Sequence, residues 1–385
     1  PSLGNNPDGE EKQAYYIHQQ GLNNDFWGTP FSANYKKDNI DLLVGGALNR
    51  YQGAHIKDLL WAEKAYTSYK NNYSYEGLNT KEEASGFAKL TYTLNSKWSL
   101  FADMQLRYVN YKAKKHKVDE ALYNFNPKMG VTFNLNPNNS FYLSYARATK
   151  EPNRSDYKDY AKELKKNALA KKPVAEKLND FELGWRYQSD KVVLNVNGYY
   201  MGYQDQLIPT GKLNETGYPI RENVGSSYRS GIEADATVHL STKWIWQPNV
   251  AFSKNITKDY KTEKKKVITY WGDTQISYSP SAVIGNTISF LPIKNFQASL
   301  ISKYVGSQYI DNTQREEAKL DAYFVNNLSL QYEWKPKHTF KSVLFSVIGN
   351  NILNAKYIPY GSNKYGESYI PAAEAHYLAG ITLSF

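Results

Sequence analysis

The sequence lacks cysteine entirely and contains no run of eighteen apolar residues within its 385 residues. The first absence removes disulfides and thiolate metal sites, and the second excludes a transmembrane helix. Neither a Gly-x-Ser-x-Gly nor a His-Glu-x-x-His motif occurs, and the six histidines are scattered without metal-ligand spacing. We therefore predict no enzymatic activity, no catalytic residue, no metal site and no cofactor.

Tyrosine is unusually abundant, with 34 residues against 15 phenylalanines and 8 tryptophans. Tyrosine rings suit a membrane–water interface or contact with polar ligands. The formal net charge is +10, but the lysines lie mostly in turns and loops, so we expect no nucleic-acid partner. The mean hydropathy of −0.65 resembles that of a soluble protein, yet a transmembrane barrel that alternates apolar and polar residues gives the same average.

The last ten residues show strict alternation. Every second position is apolar or aromatic, and most of the positions between are small or polar, which is the pattern of a strand with one apolar face. A terminal aromatic residue resembles the signal by which outer-membrane barrels are recognised for insertion, and the alternative is an ordinary core strand at a chain end. The candidate signal residues are Tyr377, Ile381, Leu383 and Phe385.

The same plan repeats along the chain: a descending strand, a short turn, an ascending strand and a longer loop. We predict about sixteen strands of about ten residues, beginning with a separate ascending strand at residues 13–20. Long loops are expected at residues 51–85 and 149–178, with a helix within 157–172. Short turns on one side and long loops on the other favour an all-β, transmembrane, antiparallel up-and-down β-barrel over a soluble propeller.

The face opposite the apolar residues carries charges of both signs. Such residues would line the lumen, where they would pair with one another or contact a separate polar domain; a polar lumen also suits an open porin. The residues predicted to face the lumen or plug are Asp103, Arg107, Glu182, Arg186, Glu233, Asp235 and Glu333.

Five stretches, in order, resemble the C-terminal part of the TonB-dependent receptor family. Residues 145–152 resemble its Arg-Ala-Pro strand end, 176–184 its Glu-Leu-Gly strand entry and 230–233 its Gly-Val-Glu strand. Residues 347–357 resemble its Asn-Leu-Phe turn and Lys-Tyr pair, and Phe385 completes the order. The family's Pro-Glu is here interrupted as Pro-Val-Ala-Glu. The sequences of these motifs look most like those of receptors of the Bacteroides group.

The resemblance implies part of a 22-stranded barrel with a plugged lumen. Residues 1–385 would form the C-terminal portion of that barrel, with the plug domain, the TonB box and about six strands not present. The implied function is active uptake of a scarce solute, most often an iron–siderophore, with cobalamin, haem or an oligosaccharide as alternatives. A passive porin of sixteen strands is the alternative outside the family.

The implied partners are TonB–ExbB–ExbD acting through the plug, outer-membrane lipid and lipopolysaccharide, a small-solute ligand and, in some receptors, a surface lipoprotein. Aromatic rings and arginines in the extracellular loops would contact the ligand, although a tyrosine there equally suits interfacial anchoring. The predicted substrate-binding residues are Trp61, Tyr66, Tyr69, Tyr73, Tyr75, Arg147, Arg154, Tyr203, Tyr218, Arg221, Trp271 and Tyr360.

Overall fold

A computed structural model describes residues 15–62, 73–113, 118–165, 170–214, 217–264, 267–336, 340–363 and 368–385. One antiparallel sheet of sixteen strands dominates these residues. The strand bounds for the first half of the chain are β1 Tyr16–Lys37, β2 Ile40–Ala62, β3 Tyr73–Thr93, β4 Trp98–Ala113, β5 Val118–Asn136, β6 Asn139–Lys150, β7 Glu176–Gln188, β8 Val192–Leu213 and β9 Pro219–His239.

The second half continues the sheet and adds two small hairpins. Its strands are β10 Trp244–Lys264, β11 Val267–Gln275, β12 Ala282–Phe290, β13 Phe296–Val305, β14 Gln308–Tyr309, β15 Lys319–Leu320, β16 Tyr323–Trp334, β17 Ser342–Asn350, β18 Tyr360–Ser362, β19 Ser368–Ile370 and β20 His376–Ser384. The hairpins β14–β15 and β18–β19 lie off the main sheet. One helix, α1 Arg154–Leu164, and a 3-10 helix, Glu316–Ala318, complete the described elements.

Each strand of the main sheet pairs with the next in sequence, which is the predicted up-and-down order. The descending strand after β10 is interrupted, because β11 pairs with the upper part of β10 and β12 pairs with the lower part. Strands β1 and β20 form the edges, and no described strand pairs with the outer side of either. Short turns therefore lie at one end of the sheet and long connections at the other.

The two sheet faces differ in chemistry as the alternation predicts. Apolar side chains on one face are largely exposed, including Met104 at 57%, Leu183 at 63% and Ile381 at 65%. Exposure of so much apolar surface suits contact with lipid. We call this the outer face, and we call the opposite, polar face the inner wall.

Aromatic rings collect on the outer face near the short turns. Trp98 packs against Phe133 with ring centroids 4.5 Å apart, and Trp244 packs against Phe290 at 4.4 Å. The terminal Phe385 contacts Phe340 at 5.1 Å. This arrangement is the aromatic girdle of a membrane–water interface. The predicted signal residues Tyr377, Ile381, Leu383 and Phe385 remain 46–75% exposed around β20.

The predicted strand boundaries near the start are wrong. Within the described residues there is no separate ascending strand at the beginning, because residues 16–20 belong to β1, whose 22 residues pair with β2 along their whole length; residues 13 and 14 of the predicted strand lie outside the described part. The loop predicted at residues 51–85 is also too long, since β2 continues to Ala62 and β3 begins at Tyr73. These hairpins extend beyond the length that crosses a bilayer, and there neither face needs to be apolar.

Helix α1 begins and ends earlier than the predicted range of 157–172. Asn153 caps its start, because the Asn153 side chain accepts a hydrogen bond from the Asp156 amide while the Asp156 carboxylate accepts one from the Asn153 amide. This reciprocal arrangement is a capping box, and it fixes the first turn before Tyr157. Among the described residues, no helix combines the length and the apolar content needed to cross a membrane.

Candidate ligand-facing wall and extracellular layer

A charged network lies near the upper end of the inner wall. Arg107 of β4 donates from Nε to Glu83 Oε1 at 2.9 Å and from Nη1 to Glu151 Oε2 at 2.8 Å. Lys81 of β3 donates to the other oxygen of Glu151 at 2.7 Å. Burial alone would raise the pKa of Glu151, but the hydrogen bonds from Arg107 and Lys81 outweigh that effect and lower the pKa to about 2. The network therefore connects Glu151, the residue that follows β6, to Lys81 of β3 and Arg107 of β4.

Helix α1 follows this network in the chain and is anchored at two places, by Arg221 of β9 and by an apolar cluster at the β4–β5 hairpin. Asp156, whose side chain is 4% exposed, receives hydrogen bonds from Arg221 of β9 at 3.0 and 2.6 Å. Tyr157 packs into a small apolar cluster with Ala113 and Val118, and burial raises the pKa of its hydroxyl. The helix therefore bridges from the β4–β5 hairpin to β9.

A polar cavity of about 400 Å³ opens on the inner wall along β7 to β10. Arg229 donates from Nη1 to Asn255 Oδ1 and to Ser279 Oγ, both at 3.1 Å. The cavity is lined by Glu182, Asn197, Tyr199, Met201, Arg229, Glu233, Ser253, Asn255, Tyr278, Ser279, Pro280 and Val283. One guanidinium, two carboxylates and two phenols therefore share a concave surface, and convergent polar groups of this kind can orient a polar ligand.

Above the cavity, the tips of β8 to β11 pack on the later connections to form an extracellular layer. Its apolar centre is a cluster of Ile208, Val224, Tyr260 and Ile276. Tyr260 also donates to Glu222 Oε1 at 2.8 Å, and burial raises the pKa of its hydroxyl. This layer contains a core of its own beyond the sheet.

Asn312 joins three segments of the extracellular layer. It is fully buried; its Oδ1 accepts from the Ser277 amide, and its Nδ2 donates to the Pro209 carbonyl, both at 2.8 Å. Nearby, Gly211 has a φ of +81°, and a Cβ there would lie 2.7 Å from the Ile310 carbonyl oxygen. Only glycine fits this close approach without strain. Segments distant in sequence are thus locked together above the cavity.

Tyr278 connects the cavity to the outermost loops. Its ring stacks on Tyr360 with centroids 5.4 Å apart and an interplanar angle of 12°, and its hydroxyl donates to the Gly361 carbonyl at 2.5 Å. An aromatic pair at the mouth of a polar cavity provides a flat surface for a planar ligand.

The structure places the predicted lumen residues on the inner wall. Arg107 joins the charged network, whereas Glu182 and Glu233 line the cavity. Asp103 pairs in register with Lys89 and Lys128, and Asp235 accepts from Asn195 at 3.0 Å. The two remaining residues have local partners: Arg186 lies 4.4 Å above the Tyr142 ring, and Glu333 pairs with Lys335 at 3.1 Å. Mutual pairing between strands, one of the two predicted alternatives, accounts for part of this wall.

The predicted substrate-binding residues do not form one group. Tyr360 lies beside Tyr278 near the cavity, and the half-buried Tyr203 lies above it on β8. Arg221 is occupied by Asp156, and Trp271 packs on the Ile208 cluster while its Nε1 donates to Thr262 Oγ1 at 3.0 Å. Both residues therefore hold the fold in place.

The other predicted substrate-binding residues are dispersed. Arg154 begins α1, Tyr218 lies 65% exposed beside the β8–β9 tip, and Arg147 lies on the outer face of β6. Trp61 is 51% exposed at the end of β2. Tyr73 and Tyr75 lie within β3 rather than in a loop, and Tyr66 and Tyr69 lie outside the described residues.

Sequence reasoning missed Glu83, Glu151, Arg229, Tyr278 and Asn312. The inward position of Arg229 could have been predicted from the sequence, because Arg229 shares the alternation that places Glu233 on the inner wall of β9. Glu151 and Asn312 carry no such signal, since each lies outside the main-sheet strands and meets residues far away in sequence. No group of three or more histidine, aspartate or glutamate side chains in the described part of the chain is arranged to hold a metal ion.

Comparison with known proteins gives the same architecture. Residues 2–352 match a family model described as TonB dependent receptor-like, beta-barrel. The chain belongs to this family. The copper transporter OprC superposes with a TM-score of 0.70 at 14% identity, over 96% of this chain and 57% of that protein. The ferric citrate transporter FecA gives 0.69 at 15%, over 97% and 56%.

Two Yersinia proteins are also similar to the receptor. The pesticin receptor of Yersinia enterocolitica is 24% identical over 195 residues, which cover 50% of this chain and 26% of that protein. The ferric yersiniabactin uptake receptor FyuA from Yersinia pestis superposes with a TM-score of 0.62 at 17% identity, over 94% of this chain and 54% of that one.

The receptor chain spans about half the length of the solved structures that it matches. Membership of the family places it in the outer membrane of a Gram-negative bacterium. In that setting the short turns face the periplasm and the extracellular layer faces outward. The specific resemblance to Bacteroides receptors stays a prediction.

Proposed function

We propose that the receptor takes up a scarce metal chelate, most favourably an iron–siderophore, through a barrel of which residues 1–385 are the C-terminal portion. The polar cavity beneath the extracellular layer carries this proposal, because it combines the Arg229 guanidinium with the Tyr278–Tyr360 ring pair. Several proteins of similar fold are described as handling ferric yersiniabactin, ferric citrate or copper.

The cavity would bind an anionic, partly planar chelate. Arg229 donates from Nη1 to Asn255 and Ser279, which fixes the guanidinium plane and leaves further N–H donors for a carboxylate or catecholate oxygen. Tyr278 and Tyr360 offer stacking surface above it. Glu182 and Glu233 keep the wall from becoming uniformly positive, so binding would depend on the position of the negative charge as well as on its amount.

Energy for release would come from outside this chain. In the proposed mechanism a plug domain fills the lumen against the inner wall, and TonB–ExbB–ExbD acts on that plug. The receptor chain would bind and orient the solute without making or breaking bonds, and so would not be an enzyme. A surface lipoprotein that captures the solute belongs to the same proposal as an optional partner.

Growth on defined iron sources tests the proposal. Cells that depend on the native receptor would be supplied with single ferric siderophores, and separately with haem, cobalamin and an oligosaccharide. We expect uptake of a ferric chelate to require TonB and to fall at least tenfold in Arg229→Gln, because a charge-assisted contact contributes roughly 1.5–3 kcal/mol. The matched control is Lys254→Gln, which removes an exposed cation from the outer face.

Three results would contradict the proposal. TonB-independent uptake together with open single-channel conductance would favour the passive porin. Uptake restricted to haem, cobalamin or an oligosaccharide would support a transporter but contradict a ferric siderophore as its substrate. Equal losses of uptake in Arg229→Gln and Lys254→Gln would show that the cavity around Arg229 does not bind the solute.

A further inference from the structure

The polar cavity on the inner wall contains more negative charge than a site for an anion needs. Its lining carries one cation, Arg229, and two carboxylates, Glu182 and Glu233, which leaves a formal charge of −1. An anion that binds Arg229 would be repelled by this excess. The lining therefore favours a ligand that carries a positive group as well as a negative one, because complementary charge selects the partner.

The two carboxylates of the cavity are available to such a positive group. Neither Glu182 nor Glu233 forms a hydrogen bond or an ion pair with any residue that the structure describes. Arg186, two inward positions further down β7 from Glu182, lies instead 4.4 Å above the Tyr142 ring. The cation of the cavity, Arg229, is held by neutral groups and not by a carboxylate.

The neighbouring carboxylates on the same two strands are placed differently. Asp235, one inward position below Glu233 on β9, accepts a hydrogen bond from Asn195 at 3.0 Å. Asp180, one inward position above Glu182 on β7, lies in one row with Lys128 of β5. Neither of these aspartates lines the cavity. They therefore serve as comparison positions, one on each strand.

Tyr199 of β8 supplies an aromatic face between the two glutamates. It lies in one row with Glu182 of β7, Gly231 of β9 and Ser253 of β10. A Cβ at Gly231 would lie 2.8 Å from the Tyr199 hydroxyl oxygen, so this glycine leaves the space that the phenol fills. The phenol extends to the Ser253 side chain, two strands away from Tyr199. Because neighbouring strands are roughly 4.8 Å apart, the ring must lie along the wall, with one face turned to the lumen.

These three side chains can surround one ammonium group. The face of an aromatic ring attracts a cation, and an ammonium has three N–H donors to share between two carboxylates. Glu182 adjoins Tyr199 in register, and Glu233 lies one inward position below Gly231 on the strand that the ring crosses. A cation over the ring is therefore flanked by a carboxylate on each side.

The positive and negative ends of the cavity are separated along β9. Arg229 lies four residues above Glu233, roughly 13 Å along the strand. Arg229 is the end nearer the extracellular layer, and the two glutamates are deeper in the lumen. A ligand that satisfies both ends presents its anionic group outward and its cationic group inward.

The geometry points to an ammonium subsite at the lower end of the cavity, in which Tyr199, Glu182 and Glu233 hold a protonated amine of the transported solute. The subsite rests on the proposed function, because the anionic part of the same solute would be the metal chelate at Arg229. It narrows the substrate class to chelates that carry a free amine roughly 10–13 Å from their metal-binding oxygens. The three residues determine specificity and bind no metal.

Two probes test the subsite on the native receptor in detergent by isothermal titration calorimetry. One is a synthetic ferric tris-catecholate with a tethered primary amine, and the other is its N-acetyl derivative, which has the same chelate without the positive charge. Wild type should bind the amine probe roughly tenfold more tightly than the acetylated one, since charge-assisted hydrogen bonds are the strong ones. The ratio of the two affinities cancels any general change in the charge of the wall.

Glu182→Gln and Glu233→Gln should each reduce this preference to roughly threefold, and the double variant should remove it. The acetylated probe should bind these variants at least as tightly as wild type, which also shows that they are folded. Tyr199→Leu should lower the preference roughly twofold, whereas Tyr199→Phe, which keeps the ring, should retain it. Asp180→Asn and Asp235→Asn are the matched controls, because each removes one carboxylate from the same strands outside the cavity.

Three outcomes would overturn the subsite. Equal reductions of the preference in Glu233→Gln and Asp235→Asn, or in Glu182→Gln and Asp180→Asn, would show diffuse charge attraction. Equal binding of the two probes to wild type, with both weakened in Arg229→Gln, would remove the subsite and leave the chelate site standing. Binding of both probes that is unchanged in Arg229→Gln would contradict the chelate site and the subsite together.

Discussion

Helix α1 and the extracellular layer both lie at the outward end of the receptor, but different forces hold them. Helix α1 is fixed mainly by charge: Asp156 binds Arg221, and Glu151 before the helix binds Arg107. The extracellular layer is fixed by the Ile208 cluster and by neutral hydrogen bonds of Asn312. The first region should respond to charge removal and acid, and the second to loss of packing and of buried hydrogen bonds.

The difference bears on how each region would respond to an added ion. An anion can compete with Asp156 for Arg221, and a cation can compete with Arg221 for Asp156, because either one offers the opposite charge that the ion pair supplies. The Asn312 amide of the extracellular layer is fully buried and bonds neutral backbone groups, so an added ion finds no charged partner to displace there. We therefore expect an added ion to loosen α1 and to leave the Asn312 contacts of the extracellular layer unchanged.

The largest expected effect is the release of α1 by Arg221→Ala. The change leaves Asp156 buried without its cation, and breaking such a pair costs roughly 3 kcal/mol or more. Amide hydrogen exchange within α1 should accelerate about 100-fold, while exchange near Ile208 should not change. Arg147→Ala removes an exposed arginine and is the control. Unchanged exchange in α1 would mean that Tyr157 packing alone holds the helix.

A smaller effect, confined to the other region, is expected from Asn312→Ala. The Ser277 amide and the Pro209 carbonyl would lose their partners inside a buried site, at a cost of roughly 2 kcal/mol. Hydrogen exchange should accelerate at residues 276–279 and leave α1 unaffected. Asn350→Ala, which removes the exposed contact with His376, is the control. Acceleration in both regions would show that the two act as one unit and would end the comparison.

The sequence predicts the membrane-crossing part of this fold well because lipid imposes a strict pattern. Phe181, Leu183 and Trp185 must all point outward, so their period of two identifies β7 directly. The same reasoning fails for β1, where residues 23–25 are Asn-Asn-Asp and resemble a loop. Those residues pair with Gln52–Ala54 beyond the bilayer, where hydrogen bonding alone maintains the strand.

The site was predictable only where it lies on that pattern. Arg107 and Glu233 follow from alternation, and the structure places both on the inner wall. Arg221 was predicted as a ligand clamp, yet Asp156 occupies its guanidinium. That contact joins a helix cap to a strand 65 residues away, and no local period carries information at such a separation. The same holds for Asn312, whose bond to Pro209 spans 103 residues.

The smallest expected effect is a pH dependence of the α1 side that comes from Glu151. The folded-state pKa of Glu151 is about 2, below its ordinary value of 4.5, so its contribution to stability is complete above pH 4.5 and is lost as the pH falls toward 2. After allowance for solvent screening, the loss should be roughly 1–2 kcal/mol. The protection of amides around Glu151 and the start of α1, expressed relative to the intrinsic exchange rate at each pH, should therefore fall over this range.

Glu151→Gln isolates this effect from that of Glu83, because Glu83 is present in both proteins. The variant should be less protected than wild type at pH 6, and the difference should shrink as the pH falls toward 2, since Glu151 then becomes progressively protonated and neutral. The bonds of Asn312 to the Ser277 amide and the Pro209 carbonyl lie away from Glu151 and should be equally protected in both proteins at each pH. Parallel pH profiles for wild type and variant would show that Glu151 contributes through shape alone, and α1 would then be held by the Arg221–Asp156 pair without help from the network around Arg107.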